Sequence, residues 1–194
     1  MSLPIVQAGD PVLRQRTRTL SPEEIRSPEI QQLIKDMRET MRAAPGVGLA
    51  APQVGQSLQL AVIEDRKEYH EKLSAEQLAA RGRTPVAFYA LINPEIVSRS
   101  QQNAMFFEGC LSLNGFCALV PRALSVRVKY TDAAGVSQVL EASGWHARII
   151  QHELDHLQGT LYIDRMLSRT FTSVENLSQH WKDHPSDEVI RRLR

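Results

Sequence analysis

An α+β fold, with antiparallel β-sheets packed around one central helix, is the architecture this sequence predicts. Three observations carry it. Short β-rich runs follow one another from Val86 to Ser143. A helical pattern then opens at Gly144 and stops at Gly159, a residue type suited to the left-handed position after a helix. A second helical pattern lies near the N-terminus, so strands and helices are segregated along the chain.

The elements follow in order. The segment to about Glu24 is rich in turn residues and arginine. Ser27-Pro28 reads as an N-cap with proline at the first helical position. Ile30, Leu33, Ile34, Met37 and Met41 recur at helical spacing, so a helix is predicted to about Ala44, ended by Pro45. GVGLAAPQVG, from Gly46 to Gly55, reads as an irregular loop with special backbone angles. Leu58 to Glu64 reads as a buried strand. Asp65 to Pro85 is a polar surface excursion with a short helix in EKLSAEQLAA. The runs VAFYALIN, EIVSRS, AMFFEG, CALV, LSVRVKYTD and SQVLEAS give an antiparallel meander. WHARIIQHELDHLQ is the central helix, LYIDRM a short strand or turn, and the tail from Ser173 is helical before it becomes charged.

Composition narrows the function classes. The 194 residues fit one compact domain, 1–194, with its own core. A net charge of +1 gives no field for nucleic acid or an anionic membrane, and no apolar run is long enough to span a bilayer. Cys110 and Cys117 are too few for a disulfide scaffold and point to a reducing compartment. The N-terminus lacks a secretion pattern.

His152-Glu153-Leu154-Asp155-His156 is an H-E-x-x-H motif. Residues four apart share a helix face, so the two imidazoles can bind one divalent ion. Such an ion lowers the pKa of a bound water to about 7, and Glu153 is placed to act as general base and then general acid. Ile149, Ile150, Leu154 and Leu157 make this helix apolar on several sides, so its polar groups need partners or ions. Asp155 fits either a supporting acceptor or the helix surface. A third ligand is still required. One zinc-peptidase pattern supplies a histidine at the position of Tyr162, so that pattern fails here. Cys110, Cys117, Glu108, His146 and acids near the C-terminus remain as candidates. His70, His180 and His184 lie in polar stretches and are expected in solvent.

Three segments resemble the signature motifs of peptide deformylases: GVGLAAPQ (Gly46 to Gln53), EGCLS (Glu108 to Ser112) and QHELDH (Gln151 to His156). They occur in the family's order with similar spacing, and the chain from GDPVLR to about Phe171 also resembles that family. The resemblance implies Cys110, His152 and His156 as metal ligands and Glu153 as acid/base. It implies the Gln53 amide and the Leu111 backbone N–H as donors to the oxyanion. Val47, Gly48 and Gly109 match positions that hydrogen-bond an extended peptide. Trp145 and Ile149, seven and three residues before His152, are expected to line an apolar slot for methionine. The implied metal is Fe²⁺ in the cell, with Zn²⁺, Ni²⁺ or Co²⁺ able to replace it. The implied reaction removes the formyl group from N-formyl-methionyl nascent peptides, near the ribosome exit, and releases formate.

The segment after EGCLS, LNGFCALVPR, departs from many bacterial members, with Cys117 about where an arginine often falls. ASGWHARIIQHELDH resembles the subgroup of plant and animal organelles and some bacteria, in which homodimers occur. Bacterial cytoplasm is the expected compartment, with a mitochondrial or plastid interior as the alternative. A zinc endopeptidase and a non-catalytic module are the competing readings. EGCLS speaks against the first, and intact Glu153, Gln53 and Cys110 against the second.

Overall fold

The computed structural model describes residues 2–71 and 73–193. Its helices are α1 (Pro22–Arg26), α2 (Pro28–Ala43), α3 (Ala75–Arg81), α4 (Gly144–Leu157), α5 (Val174–Asn176) and α6 (Ser186–Arg192). Its strands are β1 (Gly48–Ala50), β2 (Leu60–Asp65), β3 (Val86–Arg99), β4 (Asn103–Cys110), β5 (Leu113–Ala123), β6 (Ser125–Thr131), β7 (Ser137–Ser143) and β8 (Thr172–Ser173). A five-stranded antiparallel sheet has the order β1-β2-β3-β6-β7, and a three-stranded one the order β4-β5-β8. The α+β expectation is met.

Alternation in β2 explains the layering. Leu60 and Val62 pack with Ile30, Ile34, Met37 and Met41 of α2. Ala61 and Ile63 point the other way and pack with Ile149 and Ile150 of α4. The strand is therefore buried on both faces, and α4 is enclosed between the large sheet and the β4–β5 hairpin. Each Leu or Ile so buried contributes about 1.5–3 kcal/mol.

Several expectations are corrected. The turn-rich N-terminal segment contains α1, whose capping box is formed by Ser21 and Glu24. Gly46 to Gly55 is not wholly irregular, because Gly48–Ala50 pairs with Ala61–Ile63. The meander is interrupted. VAFYALIN and EIVSRS form the single strand β3, which bends at Asn93, where φ is +49°. The Asn93 amide ties this bend to the backbone N–H and C=O of Leu20, at 2.9 and 2.8 Å. Beyond the bend β3 pairs with β6, so the β4–β5 hairpin is excluded from the large sheet. Its apolar face, Ala118 and Val120, packs instead against Tyr162. Of the two readings of LYIDRM the turn is the one met, as a 3-10 turn over Tyr162–Asp164.

Candidate metal centre and active site

Helix α4 places the H-E-x-x-H residues. Gly144 opens it at φ +57°, where an added Cβ would fall 2.7 Å from the Gly82 carbonyl oxygen. Gly159 follows it at φ +71°, with the Arg14 carbonyl 2.6 Å from where a Cβ would stand. Both ends thus touch neighbouring backbone, which fixes the helix lengthwise. His152 and His156 have ring centroids 5.1 Å apart, as the four-residue spacing requires.

The third donor comes from the hairpin. The β4–β5 register shifts between Gly109 and Cys110. The Cys110 sulfur lies 3.3 Å from His156 Nε2, and the Ser112 N–H lies 3.4 Å from that sulfur. One donor atom from each of Cys110, His152 and His156 falls within 4.8 Å of the others. This spacing selects Cys110 from the candidates left open by the sequence. Cys117 is buried behind β8, with its thiol pushed up to about 11 by burial. His146 contacts the Tyr89 hydroxyl at 2.7 Å. Tyr162 is buried and stacks beside His152, with centroids 6.4 Å apart.

Glu108 is a support for the site. Its carboxylate lies 3.1 Å from His152 Nδ1, which leaves the other ring nitrogen for a metal. Arg122 donates to both Glu108 oxygens, at 3.0 and 2.9 Å, and Arg148 donates to the same carboxylate. Burial works to raise the Glu108 pKa, but bonds from His152 and Arg122 outweigh it and hold the group well below the carboxylate range. Arg122 also reaches Asp155, which Arg165 grips through two bonds of 2.6 and 2.8 Å. Asp155 is therefore a buried acceptor and not a helix-surface group. Arg148 had a sequence signal, since it lies four residues before His152 on an apolar helix.

Glu153 is buried, and burial raises its carboxyl to about 7, with the His152 charge opposing. Its Oε2 has no hydrogen-bond partner among the described residues. Gly48 explains its position. A Cβ there would lie 2.2 Å from Glu153 Oε1, so Gly48 gives room to the carboxylate. Neither Gly46 nor Gly48 has a positive φ, which corrects the expectation of special backbone angles at these two. Gln53 is oriented by the Ala50 N–H, which donates to Oε1 at 2.9 Å. Its Nε2 then lies 3.5 Å from the Cys110 sulfur and 3.2 Å from Ser112 Oγ.

A cleft of about 400 Å³ gathers these groups. It is lined by Val47, Gly48, Gln53, Gly109, Cys110, Leu111, Trp145, Ile149, His152 and Glu153. His156 lies behind its wall. Arg83, Phe116 and Val174 also line it and were not singled out from sequence. Arg83 is held by two bonds to the buried Asp65, at 2.7 and 2.8 Å. His70, expected in solvent, is buried 3.2 Å from the same carboxylate. His180 is exposed, and His184 pairs with Glu188 at 3.2 Å.

The residues fit a bound divalent ion. One thiol and two imidazoles converge, Glu108 orients one imidazole, and a buried carboxylate oxygen waits unpaired beside them. The polypeptide deformylase family model matches residues 2–171. The chain belongs to the polypeptide deformylase family. Peptide deformylase 1A, chloroplastic, of Solanum lycopersicum is 49% identical over 173 residues, covering 89% of this chain and 62% of that protein. The chain thus spans less than two thirds of the length of that plant relative. Peptide deformylase 3 of Streptomyces avermitilis is 45% identical over 191 residues, covering 98% of this chain and 83% of that one. The class I type b peptide deformylase of Acinetobacter baumannii, solved with Met-Ala-Ser bound, matches with a TM-score of 0.77 and 32% identity. That match covers 86% of this chain and 99% of the other.

Proposed function

We propose that this chain is a single-domain, metal-dependent deformylase that hydrolyses the formyl group from N-formyl-methionyl peptides and releases formate. The observation that carries the reading is the convergence of Cys110, His152 and His156 beside the unpaired Glu153 oxygen. Membership of the deformylase family and the Met-Ala-Ser complex of the Acinetobacter relative support it.

Cys110, His152 and His156 would hold one divalent ion, Fe²⁺ in the cell and Zn²⁺, Ni²⁺ or Co²⁺ in its place. Such an ion supplies Lewis acidity and makes a water ionisable near neutral pH. Glu153 takes the proton of the attacking water and delivers it to the leaving amine nitrogen. The Gln53 amide and the Leu111 N–H donate to the carbonyl oxygen as it gains charge; one such donor is worth about 10²–10³ in rate. Val47, Gly48 and Gly109 offer main-chain groups to an extended peptide. Trp145 and Ile149 form the apolar wall for the methionine side chain. Water and the formamide are consumed, and formate and a free N-terminus are produced.

The natural substrates on this reading are nascent chains at the ribosome exit. The bacterial cytoplasm is kept as the compartment, and a homodimer as an assembly to be tested by light scattering. No described helix is long and apolar enough to cross a membrane.

The deciding experiment purifies the protein without oxygen, measures bound metal and follows formate release from formyl-Met-Ala-Ser. Steady formate production with about one metal per chain is expected. A fully metallated protein that releases none would sink the reading.

A further inference from the structure

Seven large apolar side chains are strongly exposed among the described residues, and three of them gather at one place. Phe116 is 45% exposed, Phe171 42% and Val174 51%. The Phe116 and Phe171 rings stack with centroids 5.1 Å apart and planes 8° from parallel. Phe116 and Val174 both line the cleft that holds Cys110 and His152.

The backbone fixes this arrangement. Strand β8 adds to the edge of β5, with Phe116 opposite Ser173 and Cys117 opposite Thr172. Just before it, Thr170 Oγ1 accepts the Leu119 N–H at 2.9 Å. Just after it, Ser173 Oγ accepts the Asn176 N–H at 3.2 Å and so caps α5. Val174 is therefore held in the cleft wall with about half of its surface in solvent, and Phe171, which does not line the cleft, backs Phe116. The family match ends at Phe171, so Val174 lies beyond the segment that identifies the family.

Apolar surface left wet beside a cleft marks a place where a ligand covers it. An extended peptide rises about 3.3 Å per residue. With methionine against Trp145 and Ile149, the next residues run along the same cleft, which Phe116 and Val174 also line. We infer that Phe116 and Val174, with Phe171 positioning Phe116, form a subsite that selects apolar over polar side chains at the second or third residue of the formylated peptide. The inference rests on the deformylase reading for its substrate. The cleft-lining position of two of the three side chains favours this occupant over a second copy of the chain.

The test measures kcat/KM for formyl-Met-Ala-Ser analogues with leucine, serine or aspartate at the second and at the third residue. Calorimetry on the corresponding unformylated tripeptides gives affinities that do not depend on turnover. The expected leucine-to-serine ratio at one of these positions is about 5–30, as for partly covering one apolar side chain. Phe116→Ser and Val174→Asn each collapse that ratio, Phe116→Leu retains most of it, and the remote exposed Val139→Ala leaves it unchanged. A ratio near one at both positions in the unaltered protein overturns the inference. So does a ratio that survives both polar variants, including the case in which they change only the oligomeric state. Absence of formate from every metallated sample would sink the deformylase reading instead, and the tripeptide affinities would still decide the subsite.

Discussion

Gly48 has no side chain, and the Glu153 carboxylate fills the space this leaves. Gly48→Ala is expected to retain metal but to lower kcat/KM for formate release by about 10²-fold, since a misplacement near 1 Å costs that much. Metal analysis alongside the formate assay checks it; unchanged kcat/KM would show that the carboxylate finds an equivalent position. Glu153→Ala is expected to keep metal and lose about 10²–10⁴ in turnover, whereas Cys110→Ala loses metal affinity. Equal metal content in the Cys110 variant would remove its ligand assignment. At this scale the sequence was informative about chemistry and poor about space. Glu153 and the histidines stand in a local motif. The reason for Gly48, a contact across 105 positions of chain, has no local signal beyond the glycine itself. His70 was misread because a polar stretch conceals which of its members folds back onto the buried Asp65.

Helix α4 and the β4–β5 hairpin are joined by charged groups removed from water. Glu108 of the hairpin meets His152, and Arg122 of the hairpin meets Asp155. Removing one partner from such a buried set leaves the others uncompensated, at a cost of about 3–5 kcal/mol. Arg122→Met is therefore expected to lower the melting temperature and to weaken metal binding about 10–100-fold. A chelator titration read beside the thermal melt separates the two effects; metal retention equal to the parent would deny Arg122 any role in orienting His152. The helices were largely readable at this scale. Ser27-Pro28 and the 3.6-residue spacing set α2 to within a residue of its observed end. Sheet membership was not. Asn93 turns β3 in mid-strand through a side-chain clasp on Leu20, a contact 73 residues away that no strand pattern records.

Across the whole molecule, layers are tied by ion pairs as well as by the core. Glu64 of β2 accepts two bonds of 2.6 Å from Arg42 of α2. The hydrogen bond from Arg42, though opposed by burial, holds the Glu64 pKa below its ordinary value of 4.5. The unfolded chain binds this proton more readily than the folded one, so the pair stabilises fully above about pH 4.5 and its contribution disappears as pH falls through the folded pKa. Melting temperatures from pH 7 to pH 3 should therefore fall less steeply for Glu64→Gln than for the parent, and parallel curves would refute the assignment. The α+β class was legible because helical and strand periods occupy separate stretches. The split into two sheets was not, because it depends on where β3 bends. That split bears on the order of assembly. The hairpin from Asn103 to Ala123 closes on its own neighbours in sequence, whereas β3 and β6 must find each other across it. Cys110 of the hairpin and the two histidines of α4 consequently meet across the seam where the hairpin seats on that helix. Stripping the metal should loosen that seam first. Backbone amides of residues 103–123 should then exchange with deuterium sooner than those of β2, while the metallated protein keeps both protected alike.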